Sequence, residues 1–184
     1  MNHFMIDLET MGLGVRPAIV AIGAVHMDER GLIQSAGFYR VVDLQSNIDA
    51  GLRMDASTVE WWLQQSDEAR AALLVAERVP LREALSDLSD WVTDQLDLST
   101  PDGVWGNEVA SDNVWLASAY AAIGSPRPWP HTADRCYRTF RAQHSDVPAR
   151  ATPPGTVEHN ALHDAYYQAQ HMADICAAKD ISFT

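Results

Sequence analysis

The chain is poor in cysteine, in positive charge and in long apolar runs. Two cysteines in 184 residues, Cys136 and Cys176, do not make a disulfide framework, so a reduced, cytoplasmic protein is expected. No stretch approaches the ~18 apolar residues of a membrane span, and no basic N-terminal region leads into a long apolar one. Neither a membrane partner nor a signal peptide is therefore expected. There are 13 Lys and Arg against 25 Asp and Glu, a net charge of −12. That balance excludes general adhesion to nucleic acid or anionic membrane. It does not exclude a polyanionic substrate held through metal ions and a local basic patch. Repeats, low-complexity tracts and linkers are absent as well. With 47% apolar and 21% charged residues, 1–184 reads as one globular domain able to bury a sizeable core.

What basic charge there is collects late in the chain. Arg127, Arg135, Arg138, Arg141 and Arg150 face only Asp134 and Asp146 over residues 125–150. Arg135, Arg138 and Arg141 recur at every third position and form one stripe if residues 135–143 are helical. Such a stripe suits phosphate contact and a solvated face equally well.

The pattern of apolar residues predicts an α/β domain with a mixed sheet. Strands are expected over 3–8, 19–28 and 35–42, in an antiparallel run with a turn at Glu29-Arg30-Gly31, and over 103–107. Helices are expected after Ser57, after Ser66, over 80–97, 112–123 and 135–143, and from about 160 to 178. Residues 145–157 read as loop.

The first strand poses a chemical question. In FMIDLET, Asp7 and Glu9 are two apart and share a face. Like charges so close raise each other's pKa. A cation, a basic partner or an exposed edge position would relieve them. Asp112 opens a predicted helix after VWGN, and EHNALHDA places His159 and Asp164 at the start of the last one. Taken singly, Asp112 is a first-turn helix acid, Asp164 a solvated residue and His159 a cap.

Together they match a family. An Asp-x-Glu on the first strand, an Asp opening a helix after a central strand, and His-x4-Asp on a last helix resemble the DEDDh branch of the DEDD exonucleases. IDLETMG, IVAIGAV, STVEWWLQQSDEAR, VWGN…DN and HNALHDA look most like the 3′–5′ exonucleases of phages and prophages, of the exonuclease A and exodeoxyribonuclease VIII-like types. The resemblance covers essentially the whole chain. It implies a ribonuclease H-like fold with a five-stranded mixed sheet, two divalent ions, Mg²⁺ or Mn²⁺, and removal of nucleoside 5′-monophosphates from 3′ ends. It further implies that Asp7, Glu9 and Asp164 hold one ion, that Asp7 bridges to a second, and that Asp112 supports the second. His159 becomes the general base, a role its ordinary pKa of ~6.5 suits. His163 lies outside the family interval and is expected to be structural. Thr10, Met11, Gly12 and Leu13 would cradle the terminal nucleotide, with Met11 or Leu13 as a wedge. Trp61, Asn107 and Arg135 are further candidate substrate contacts, although core packing is the default for Trp61 and its neighbour Trp62. Relatives often carry Gly and Phe where this chain has Glu108 and Ser111, which bears on substrate preference more than on the reaction.

DNA is the expected substrate, and RNA is the nearest rival, because the resembled family includes enzymes for both; the two differ at the 2′-hydroxyl, and no residue in the sequence distinguishes them. A homodimer supplying basic residues in trans is compatible with so acidic a chain. A zinc hydrolase using His159 and His163 at i, i+4 lacks the Glu that should follow the first His, because Asn160 stands there. An aspartyl phosphatase would need Asp where Glu9 is. A site-less binding module conflicts with the presence of all five catalytic candidates.

Overall fold

The computed structural model describes residues 1–96 and 99–183. Five strands form one sheet in the order β3-β2-β1-β4-β5. β1 (His3–Thr10), β2 (Ile19–Met27) and β3 (Phe38–Val41) are antiparallel neighbours, as expected. β4 (Gly103–Gly106) and β5 (Asp134–Cys136) add to the other side of β1 in parallel. The helices are α1 (Leu44–Asp49), α2 (Ala56–Leu63), α3 (Asp67–Leu73), α4 (Leu81–Asp94), α5 (Asp112–Ala122), α6 (Tyr137–Gln143) and α7 (Ala161–Lys179). Among the described residues no helix is long and apolar enough to cross a membrane.

β1 is the middle strand and is covered on both faces. Phe4, Ile6 and Leu8 pack with Leu81, Leu85 and Leu88 of α4 and Leu116 of α5. Met5, on the opposite face, packs with Ala165, Ala169 and Met172 of α7. Full burial of each large apolar side chain contributes about 1.5–3 kcal/mol. Asp7 and Glu9 lie on the α7 face of this central strand and are both buried. The edge-strand account of these acids therefore fails.

Two glycines bring the acid-bearing helices onto the sheet. A Cβ on Gly23, which pairs with Asp7, would lie 2.2 Å from the backbone of Ala161 at the start of α7. A Cβ on Gly106, which pairs with Ile6, would lie 2.8 Å from the Cβ of Asp112 at the start of α5. α7 presents the small residues Ala161, Ala165 and Ala169 along its first buried turns, with Gln168 beside them. Gly23→Ala is expected to lower stability by about 1–3 kcal/mol through overpacking and to lower activity by displacing Asp164. Urea denaturation beside an activity assay checks this; a variant with wild-type stability would refute it.

Several boundaries differ from the sequence expectation for local reasons. The third strand begins at Phe38 rather than 35 because the Gly37 N–H donates to the Tyr166 hydroxyl of α7 at 2.9 Å. Ser57 is not a cap. α2 starts at Ala56, and the Asp55 carboxylate, at the cap position, instead accepts the Leu13 N–H at 2.8 Å. The expected helix over 135–143 starts at Tyr137, since 134–136 form the edge strand β5. The short α1, which was not expected, is capped by Asp43, whose carboxylate accepts the Ser46 N–H at 2.8 Å.

Candidate active site

The carboxyl end of β1 opens into a cleft lined by Asp7, Glu9, Asp112, His159 and Asp164, which converge from β1, α5, α7 and the turn that precedes α7. Asp7 and Glu9 come from the alternation of β1. Directly after Glu9 the pairing with β2 slips by one residue. Such bulges re-aim side chains beside active sites. Asp112 is the first residue of α5, and its carboxylate accepts the Glu108 N–H at 3.0 Å. It is thus a first-turn acid as well as a wall of the cleft. Asp164 stands in the first turn of α7, whose cap, Asn160, accepts the N–H groups of Leu162 and His163 at 3.2 Å each.

His159 precedes α7 and holds a left-handed backbone, φ 59°. Non-glycine residues adopt that conformation uncommonly, often at functional sites. Its ring meets Trp61 edge-on, with centroids 4.8 Å apart. His163 is inside the helix, where its Nδ1 accepts the Val157 N–H at 3.1 Å and ties down the preceding loop. The two histidines therefore do not share a helical face, and the zinc-hydrolase alternative loses its geometry.

Crowding and burial act together on the acids. Burial, then Asp112, Glu9 and Asp164, push Asp7 well above the usual carboxylate range. Burial, then Asp164 and Asp112, push Glu9 up to about 8. Burial raises Asp112 to about 6 against the opposing pull of backbone N–H groups and Arg138. Burial also raises Asp164, while His159 and His163 pull the other way.

The candidate substrate contacts divide. Leu13 is 72% exposed and stands on the rim of both the acidic cleft and an adjoining apolar cleft. Met11 instead packs against the core, so of the two wedge candidates only Leu13 is free to play that part. Gly12 is buried against Asp55. Thr10 lines the adjoining apolar cleft, and its hydroxyl donates to the Gly12 carbonyl at 2.8 Å, shaping the loop. Trp61 lines the apolar cleft with Trp115, while Trp62 is buried and donates Nε1 to the Thr10 carbonyl at 2.9 Å. Asn107 lines the acidic cleft.

Arg135 does not reach the cleft. Because β5 replaces the first turn of the expected helix, its guanidinium turns outward to the carbonyls of Thr132 and Asp134 at 2.7 and 3.0 Å. The arginine stripe is broken. Arg127 pairs with Asp134 and Arg150 with Asp174. Arg138 and Arg141 alone of the five line the cleft. Arg138 donates to the Glu108 carboxylate at 2.8 Å, so the unexpected acid is matched by its own cation. Ser111 takes the N-cap position of α5, where its side chain makes no capping bond. Sequence reasoning missed Tyr137, Tyr167, Trp115 and Gln168 as cleft residues. For Gln168 the signal was its place one helical turn after Asp164.

A sheet of this order, burying an Asp-Glu pair on its central strand with two helical acids and a histidine beside them, is the arrangement of a ribonuclease H-like DEDDh exonuclease. The family model described as the 3′-5′ exoribonuclease Rv2179c-like domain matches residues 2–176. The chain belongs to this family of 3′–5′ exonucleases. An exodeoxyribonuclease of Enterobacteria phage T4 is 31% identical over 101 residues, covering 50% of this chain and 44% of that protein. The chain thus matches less than half the length of that relative. Among solved structures, the nuclease domain of 3′hExo, a DEDDh family member bound to rAMP, superposes with a TM-score of 0.62 at 11% identity, covering 100% of this chain and 94% of that one. E. coli exonuclease I in complex with a dT13 oligonucleotide gives 0.63 at 14%, covering 97% and 41%. Exonuclease X in complex with 5′ overhanging duplex DNA gives 0.55 at 17%, covering 98% and 95%.

The family implies divalent metal ions, and the residues fit them. Glu9, His159 and Asp164 each offer one ligand atom, all within 4.8 Å of one another. The remaining donors are carboxylate oxygens, the hard ligands such ions prefer. The raised pKa values of the acids are what a cation would reverse. Between about pH 4.5 and 8 the unfolded chain sheds the Glu9 proton while the metal-free folded protein keeps it. Fewer protons on the unfolded chain means that stability falls as pH rises through that window. A cation requires the acids ionised and displaces those protons. The increase in Tm on adding Mn²⁺ is therefore expected to be larger at pH 8 than at pH 5.5. Thermal melts in EDTA and in Mn²⁺ check it, and an increment independent of pH would contradict it.

Proposed function

We propose that residues 1–184 act as one nuclease domain that hydrolyses the terminal phosphodiester bond of DNA, in single strands or at 3′ ends, and releases nucleoside 5′-monophosphates. The observation that carries this reading is the convergence of Asp7, Glu9, Asp112, Asp164 and His159 in one cleft from β1, α5, α7 and the turn that precedes α7. Two divalent ions, Mg²⁺ or Mn²⁺, would be held by Asp7, Glu9, Asp112 and Asp164. When bound, they would supply positive charge to the attacking and leaving oxygens of an in-line displacement. His159 takes the proton of the attacking water as its oxygen bonds to phosphorus. The bond to the 3′-oxygen of the preceding nucleotide breaks, and that oxygen takes a proton from solvent water, leaving a 3′-hydroxyl on the shortened strand. Arg138 and Arg141 sit on the cleft wall where phosphates would lie, and Arg138 would exchange Glu108 for phosphate. Leu13 and Trp61 flank the apolar cleft, which suits a terminal base; stacking on such surfaces is worth about 1–3 kcal/mol per base.

The T4 relative and the phage-like motifs support DNA, and with it membership of the phage exonuclease subgroup. A specific observation favours RNA as a second reading, since the family matched over 2–176 is described as exoribonuclease. The test is degradation of matched 5′-labelled DNA and RNA oligonucleotides with Mg²⁺, Mn²⁺ or EDTA, beside Asp7→Asn. A metal-dependent ladder shortening from the 3′ end, absent in the variant, is the expected result. The substrate shortened faster decides the sugar. A folded protein that cuts neither refutes the reading.

A further inference from the structure

One cleft residue has no part in the chemistry above. Gln168 lies on α7 four residues after Asp164, so the turn that delivers Asp164 delivers Gln168 to the same face. It is 7% exposed, and its Nε2 donates to the Asp7 Oδ1 at 2.7 Å. Its Oε1 is buried with no hydrogen-bond partner among the described residues. Leaving an amide oxygen so placed is unfavourable, by about 1–3 kcal/mol. A residue present only to pack α7 on β1 would do better as Leu or Met, and the neighbouring positions Ala165, Ala169 and Met172 are apolar.

The hydrogen bond does something no apolar residue can do. A carboxylate at the end of a β-strand side chain rotates about its last bond. One donor on Oδ1 fixes the plane of the group and leaves Oδ2 and the second Oδ1 lone pair directed elsewhere. It is also the only hydrogen bond that Asp7 receives from a side chain among the described residues, in a cleft where three other carboxylates press on it. We propose that Gln168 is a positioning residue for the divalent-ion site, holding the Asp7 carboxylate in the orientation that an ion requires. The proposal rests on the reading of Asp7 as an ion ligand. Outer partners of this kind typically change metal affinity 10–100-fold when removed.

The experiment is a Mn²⁺ titration of the metal-free protein by calorimetry, for wild type, Gln168→Met, Gln168→Asn and Asp7→Asn, with urea denaturation in EDTA alongside. Gln168→Met keeps length and volume without a donor; Gln168→Asn keeps the amide but is one methylene too short to reach Asp7. Both are expected to bind Mn²⁺ about 10–100-fold more weakly. Both should remain folded in EDTA, with Gln168→Met, which also removes the unpartnered Oε1, at least as stable as wild type, and kcat should largely recover at saturating Mn²⁺. Unchanged Mn²⁺ affinity in the two folded variants would overturn the proposal. Failure of both to fold would do so too, by making Gln168 a packing residue. If Asp7→Asn binds Mn²⁺ as tightly as wild type, the ion-ligand reading of Asp7 fails instead, and the two failures are told apart by that variant.

Discussion

Asp7→Asn is expected to abolish 3′-terminal hydrolysis and, in EDTA at pH 8, to make the protein more stable than wild type. The two effects share one cause. Asp7 is buried on the central strand, and Asp112, Glu9 and Asp164 all press on it. In the metal-free protein that cluster is unfavourable, as the elevation of Glu9 to about 8 records. Asn has the same shape, and its Oδ1 still accepts the Gln168 amide. It removes one buried acid, relieving both desolvation and repulsion. A gain of about 1 kcal/mol would raise Tm by roughly 2–4 °C in a chain of this size. On the proposed reading of Asp7 as an ion ligand, the same substitution also weakens the divalent-ion site. Losing the ions' charge stabilisation is worth several kcal/mol of transition-state energy, or about three orders of magnitude in rate. Thermal melts in EDTA and a labelled-oligonucleotide assay measure both sides. A variant that is inactive but also less stable than wild type in EDTA would show that Asp7 is structural.

His159→Asn is expected to lower kcat by about 10²–10⁴-fold, the usual contribution of a positioned general base, while leaving Mn²⁺ affinity near wild type. Asn is chosen because it tolerates the left-handed backbone that His159 holds at φ 59°. The substitution thus removes the ring without straining the turn into α7. The geometry makes this a sharp test. His159 is close enough to Glu9 and Asp164 for its ring nitrogen to join them around an ion. If it were a ligand, Mn²⁺ affinity and kcat would fall together. If it is the base, only kcat falls. Single-turnover rates at saturating metal, paired with calorimetry, separate the two.

Much of this site was legible in one dimension. Period-two alternation along β1 put Asp7 and Glu9 on one face, and the resemblance to a family with a His-x4-Asp interval singled out His159 from two histidines. Order and spacing survive folding because they are set within single strands and helices. Other readings needed the third dimension. The burial of Asp7 and Glu9 depends on β1 lying between β2 and β4, and β4 arrives nearly a hundred residues later. Arg135 left the cleft because parallel pairing with β4 took residues 134–136 from the helix. Met11 turned to the core and Leu13 to the cleft because Asp55 captured the loop between them.

The sequence by itself determined which residue types meet and in what order along the chain: four acids, one histidine, and the strands and helices that carry them. Local periodicity and capping, which need only near neighbours, give the strands and helices, and the resemblance to a known family groups the four acids and the histidine. The tertiary structure alone decided that α7 closes onto β2 at Gly23, that the acids are buried together, and that Gln168 reaches Asp7 across 161 positions. Close approach, desolvation and long-range hydrogen bonds depend on distances between elements, and those distances exist only once the sheet has assembled.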